Sequence, residues 1–284
     1  MLHAPDILRR SMSTPQPRGK DGELWQYHSR SDLHSKVACC GVFLDLMAHS
    51  ALLREHVDHG KVVVGVNHPM LDFVNNKRKN LDLVLARPGT GPERGKARST
   101  PELFEQWRVD LNDEQRRLFE SLPVAYEGPV GSVLVAMEAK ACMTEHSKAG
   151  PRLYDELNSS HGIVHASSAN ALAVGFVMVN AAGSFVSPDR NRRLRSGEPA
   201  EVTVHRQPEA LNAALRAVGQ LPRRSDASAR GYDGLGIVVV DAPNDGSPVR
   251  LVRERPAPQP GDNLHYDSML RRVAGEYDST FRRI

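Results

Sequence analysis

Apolar and polar positions along this chain recur with two different periods, and the switches between them mark out its elements. In "SDLHSKVACCGVFLDLMAHSALLREHV" (31–57), Leu33, Val37, Cys40, Leu44 and Met47 return at helical spacing behind an N-cap serine, and Gly60 ends the segment. "KVVVGVNH" (61–68) reads as a short buried strand. "NLDLVLARP" (80–88) alternates, which predicts Leu81, Leu83 and Leu85 on one face and Asp82 and Val84 on the other. A polar helix is expected from Pro101 to about Leu122, with Pro101 at a first helical position. A strand follows at about 130–143, then a helix over 150–167 in which Gly162 is a candidate break. The near-continuous apolar run 171–182 suits a central strand. A helix at 207–219, a buried strand at 234–243 and a closing helix at 262–280 complete the pattern. Residues 1–28, rich in Pro, Gly, Ser and basic residues, are expected to be a flexible arm, and 29–284 a single domain with a helical insertion at about 100–123. Strands alternating with helices predict an α/β fold, a central mixed sheet flanked by helices.

One strand breaks the apolar rule. "VLVAMEAKACM" (133–143) places Leu134, Ala136, Glu138, Lys140 and Cys142 on a common face. Burying a carboxylate and an ammonium is costly unless they are paired, hydrogen-bonded or next to a metal. A second acid, Asp82, lies in the apolar strand 80–88. If the two strands are neighbours, Asp82 and Glu138 converge on one cation. A hard divalent ion such as magnesium takes one or two carboxylates, a backbone carbonyl such as that of Ala139, and waters. Lys140 then orients an attacking water, and the set suffices for metal-assisted hydrolysis of a phosphodiester. The plainer reading is that Glu138 and Lys140 lie on a half-exposed face and pair with each other or with solvent.

Composition narrows the field without deciding it. With 284 residues, 40% hydrophobic and 25% charged, the chain can build a substantial core. Aromatics at 5% argue against recognition by rows of stacked bases, and a formal charge of +3 is compatible with nucleic acid without requiring it. Cys39, Cys40 and Cys142 give neither a disulfide framework nor a paired CxxC spacing, and read as core residues. The N-terminal segment lacks an apolar signal-peptide core, and no run reaches the roughly 18 apolar residues of a membrane span, so a cytoplasmic protein is expected. Basic clusters at 76–79 ("NKRK") and 190–195 ("RNRRLR") make Lys77, Arg78, Lys79, Arg190, Arg192 and Arg193 candidates for salt-sensitive phosphate contacts, or ordinary solubilising charge.

An Asp, a long gap and a Glu-x-Lys triplet on successive strands resembles the PD-(D/E)xK nuclease superfamily, which includes many restriction endonucleases. The resemblance covers about 30–182. It implies a restriction-endonuclease-like core, Mg2+ held by Asp82 and Glu138, and Lys140 positioning the nucleophile. It further implies double-stranded DNA as substrate and a homodimer, since two symmetry-related sites cut two strands most simply. A type II restriction enzyme is the leading expectation. A non-catalytic DNA-binding or assembly module of the same fold would carry similar residues, as would a partner-gated nuclease effector of a defence system. Members of this class often draw a further acid from the first helix, for which Asp32 or Asp45 is available, and Glu156 is another candidate. Asp32 as a helix cap and Glu156 as a solvated helix residue stay open beside these roles. Two departures are visible: Asn80 and Leu81, not proline, precede Asp82, and the interval to Glu138 holds the 101–122 helix. His161 and His165 are four apart but lack the glutamate of an HExxH motif.

Overall fold

The computed structural model describes residues 3–18, 23–72, 77–91, 97–144, 146–192, 199–226 and 229–284. In chain order the elements are α1 (Ala4–Ser13), β1 (Gln16–Arg18), β2 (Glu23–Trp25), α2 (Leu33–His49), α3 (Ala51–Asp58), β3 (Val63–Asp72), β4 (Lys77–Pro88), α4 (Thr100–Gln106), α5 (Asp113–Ser121) and β5 (Val130–Cys142). Then come α6 (His146–Ser167), β6 (Leu172–Asn180), β7 (Ser184–Val186), β8 (Val202–Val204), α7 (Glu209–Gly219), β9 (Gly234–Asp241), β10 (Arg250–Leu251) and α8 (Tyr266–Thr280). Six strands form one mixed sheet in the order β10-β9-β6-β5-β4-β3. The β3, β4 and β5 strands pair antiparallel, whereas β5, β6 and β9 run parallel.

Parallel strands need crossovers, and α6 and α7 supply them on one face of the sheet. There Leu153, Leu157, Val177, Leu211 and Ile237 belong to one buried cluster. On the opposite face α1, α2 and α8 build the larger core, with Val37, Leu44, Met137, Phe176 and Leu270 among its members. Both faces of β6 are therefore covered, which is why its sequence is apolar from Leu172 to Val179 instead of alternating.

The expected N-terminal arm is instead α1. Ala4, Ile7, Leu8 and Met12 form a buried stripe at helical spacing. The stripe crosses α2 at Gly41, where an added Cβ would sit 2.7 Å from the Ala4 Cβ. The N-terminus of α1 is capped from a distance: the buried Asp45 carboxylate accepts from the backbone N–H of His3 and Ala4, both at 2.9 Å. Residues 16–18 and 23–25 add the small β1/β2 ribbon.

The single helix expected over 31–57 is two helices bent by 102° around Ser50, whose hydroxyl accepts from Leu53 N–H to start α3. Likewise the 100–123 insertion is two helices, each opened by a reciprocal capping box, Ser99 with Glu102 and Asn112 with Gln115. Helix α6 runs through Gly162 without a break. Among the described residues no single helix is long and apolar enough to cross a membrane; α2 and α3 reach that length and apolarity only as a bent pair.

Strand β4 does not keep one set of residues on one face. Leu83 and Leu85 join the α2-side core, as expected together, but Leu81 joins the α6-side cluster with Val84 and Ala86. The phase of alternation changes at Asp82. Opposite it, between the ladder pairs Val66↔Leu83 and His68↔Leu81, Asn67 adopts a left-handed backbone with φ of 49°. That kink rotates the hairpin and leaves Asp82 at the boundary between the two layers.

Candidate active site at the end of the central strands

Strand β5 is the seam between the antiparallel and parallel halves of the sheet. At its C-terminal end α2 begins on one face and α6 on the other, and such switch points leave a crevice. A cleft of about 440 Å³ lies here, lined by Tyr27, Asp32, Ser35, Asp82, Lys140 and Glu156 among others. The β4–β5 ladder ends at Leu83↔Met137, so Asp82 and Glu138 are the next residues past it. Past the ladder Asp82 takes over the strand's bonding: its Oδ2 accepts from the backbone N–H of Ala139 at 2.9 Å. Its Oδ1 accepts from Lys36 Nζ at 2.6 Å and Ser35 Oγ at 3.0 Å, both on α2.

Glu138 is only 3% exposed. Its Oε1 lies 2.8 Å from Lys140 Nζ and 3.5 Å from Lys79 Nζ, while Oε2 is buried with no hydrogen-bond partner. Burial pushes the Glu138 carboxyl above the ordinary carboxylate range, and Asp82 pushes the same way; Lys140 and Lys79 oppose the shift without cancelling it. For Lys140, burial pulls the ammonium pKa down, but the charge and hydrogen bond of Glu138, helped by Asp82 and Glu156, raise it on balance. Lys140 is thus an ammonium at neutral pH and is paired with Glu138.

Lys140 also lies 3.6 Å from Glu156 Oε2 on α6, and Arg152 Nε donates to Glu156 Oε1 at 2.6 Å. Burial alone would raise the Glu156 carboxyl, but the Arg152 hydrogen bond and the Lys140 charge bring it below its usual value. Glu156 is therefore a wall of the cleft, held by two cations, more than a solvated helix residue. Lys79 reaches inward to the Glu156 carbonyl at 2.6 Å and to the Ser160 hydroxyl. Burial lowers its pKa against the pull of Glu138.

Asp82, Glu138, Ala139 and Lys140 are thus brought together at one strand end. The helix acids divide. Asp32 is exposed on the cleft rim, with no side-chain cap of α2. Asp45 is not a site residue: it lies further along α2, fully buried, bonded to His3, Ala4 and, at 2.7 Å, the Tyr266 hydroxyl. Of the basic candidates, Lys79 is an internal partner of Glu138 and α6, because its place on the kinked hairpin turns it inward. Arg78 is exposed. Arg190 pairs with Glu201 at 2.7 Å, and Arg192 with Asp189, which also meets Arg30 on the cleft rim. The Lys77 side chain and Arg193 lie outside the described residues. His161 and His165 bond instead to Asn158 and Asp233, and burial lowers His161 to about 4. All three cysteines are buried and free.

Sequence reasoning assigned no role to Lys36, which is 2% exposed. Its signal was available: a lysine beside Val37 on the apolar stripe of α2 is the same anomaly as a glutamate within β5.

Whether these residues suit a divalent ion is decided by their donor chemistry. The orphaned Glu138 Oε2 is a buried anionic acceptor that a cation would satisfy. Asp82 Oδ2 spends one hydrogen bond on Ala139, which leaves it capacity for a further partner. Among the described residues no group of three or more His, Cys, Asp or Glu is gathered for a metal. Two carboxylates suit a hard ion that completes its shell with water and phosphate, and not a thiolate- or imidazole-bound transition metal. Comparisons with protein-family models, curated proteins and solved structures find no match to this chain.

Proposed function

We propose that this protein is a magnesium-dependent endonuclease hydrolysing DNA phosphodiester bonds, of the restriction-endonuclease-like class. The observation that carries the reading is the buried, partnerless Glu138 oxygen, whose partner Lys140 lines a cleft together with Asp82. An apolar strand has little structural use for that combination, and metal-assisted phosphoryl chemistry has a direct one. Apart from α3, α4 and α5, the order α2, β3, β4, β5, α6, β6 follows the helix, central sheet, second helix and strand that the resemblance implies.

In this reading Asp82 and Glu138 hold Mg2+, which when bound supplies a Lewis acid for the phosphate oxygens and the attacking water. Ala139 fixes Asp82 through its N–H, and its carbonyl is available to the same ion. Lys140 donates a charged hydrogen bond to the nucleophilic water or to a phosphate oxygen, and Glu156 with Arg152 sets where that ammonium points. Arg30 and Arg152 around the cleft, with Arg192 sharing Asp189 with Arg30, favour a polyanionic strand. Double-stranded DNA as substrate and a homodimer as the working unit follow from the class, and sedimentation tests the latter. Cleavage of plasmid and linear DNA with Mg2+ or Mn2+, lost in Glu138→Ala and Lys140→Ala, is the expected result. Intact DNA and RNA under all such conditions would refute the enzyme.

A second reading has its own observation. Lys36 already neutralises Asp82, as in a non-catalytic DNA-binding module that has kept the fold. Calorimetric titration with divalent ions separates the two: the enzyme binds and Asp82→Asn weakens binding, whereas the module binds none.

A further inference from the structure

The first helix of the core is where a further acid is expected, yet α2 turns an ammonium to the site. Asp32 stays exposed at the rim and Asp45 is consumed by the cap of α1. Lys36 Nζ lies 2.6 Å from Asp82 Oδ1 and 3.4 Å from the Asp82 carbonyl, almost wholly out of solvent. Ser35 donates to the same carboxylate oxygen. Sites with two divalent ions hold them roughly 3.5–4 Å apart, with carboxylates serving both. A second ion on Asp82 Oδ1 would lie against the Lys36 ammonium in a region of low dielectric, where that repulsion is large.

We propose that Lys36 is a built-in cation standing in for a second metal ion, so that the site takes one divalent ion per chain, on the Glu138 side of Asp82. This rests on the reading of the site as a magnesium site. The Lys36 ammonium bonds to Asp82 and not to the orphaned Glu138 oxygen, so it acts through Asp82. It is a positioning residue: with Ser35 and Ala139 it fixes the carboxylate, while Oδ2, which accepts from the Ala139 N–H, keeps capacity for the ion. An ammonium also spares the cluster a second dication among Lys79, Lys140 and Arg152.

The test is Mn2+ binding to the full chain, followed by electron paramagnetic resonance and calorimetry, which needs no turnover. Wild type should bind one ion. Lys36→Met keeps the aliphatic stem and removes the charge, and should bind Mn2+ roughly tenfold tighter or take a second equivalent. Its melting temperature should rise more on adding Mn2+ than that of wild type, because the ion then neutralises Asp82. Lys36→Arg should keep a single ion. Two ions in wild type would overturn the role of Lys36 and leave the metal reading standing. Unaltered stoichiometry and affinity in Lys36→Met would do the same. No ion in wild type or any variant would overturn the metal reading itself, and this inference with it. Should Lys36→Met prove unfolded, the wild-type stoichiometry decides alone.

Discussion

Replacing Glu138 with glutamine removes one charge and keeps the shape of the side chain. The native carboxylate is 3% exposed, and its attraction to Lys140 at 2.8 Å and Lys79 at 3.5 Å falls short of its desolvation, so its pKa is raised. Both lysines keep other partners in the variant: Glu156 Oε2 at 3.6 Å for Lys140, and the Glu156 carbonyl at 2.6 Å for Lys79. Glu138→Gln should therefore be as stable as wild type near neutral pH, or ~1–2 kcal/mol more stable. The pH dependence has a definite sign. A carboxyl whose folded pKa exceeds its unfolded value takes up a proton on folding. The stability wild type gains from that proton is complete below the ordinary carboxylate range and is lost as pH rises through the raised value. The advantage of the variant therefore grows as pH rises from the ordinary carboxylate range to the raised value, is constant above it, and vanishes in acid. Urea denaturation of both proteins across this range measures it, and DNA cleavage in the same variant should fall by roughly 100-fold or more. A stability loss of about 3 kcal/mol or more near neutral pH would refute the reasoning, because it would make the ion pair the reason for the charges.

Asp45→Ala should behave oppositely: it leaves His3 N–H, Ala4 N–H and the Tyr266 hydroxyl without their acceptor and should cost ~2–4 kcal/mol in urea denaturation, with cleavage per folded molecule unchanged. Lys140→Met should lower kcat by roughly 100-fold without weakening Mn2+ binding. In the metal-free protein the raised Lys140 pKa should keep the ammonium charged through mildly alkaline pH, as its titration followed by NMR would show. Asn67→Gly should be tolerated, whereas Asn67→Val should destabilise by ~1–2 kcal/mol, read by thermal melting, since a β-branched residue resists the left-handed backbone. Removing Arg30 and Arg192 should weaken DNA binding uniformly and lower its salt dependence, by about one unit of slope for each phosphate no longer neutralised.

Elements with a strong period were legible in the sequence. Strand β5 betrayed itself by two charges in an apolar run, α2 by its stripe, and β6 and β9 by unbroken apolarity. The grouping of Glu138 with Lys140 follows from a period of two, and Asp82 joins them because β4 is the neighbour of β5. What escaped depends on distant partners. Helix α1 hides among prolines and basic residues because its cap, Asp45, lies 42 positions from His3. The break between α4 and α5 was written locally in Asn112 and Gln115, a capping pair masked by the polar character of the whole stretch. Lys79 looks like ordinary surface charge until the fold turns it inward. The change of face at Asp82 is set by the backbone of Asn67 on another strand, which no alternation pattern in β4 can reveal.

That change of face has a consequence for when the protein can act. Asp82 is carried where β4 passes from one hydrophobic core to the other, Leu81 keyed to one and Leu83 to the other. Neither core alone fixes the aspartate against Glu138. A nascent or partly melted chain with a single core in place has the residues but not their alignment. On the nuclease reading proposed above, cutting ability then requires both cores to be in place.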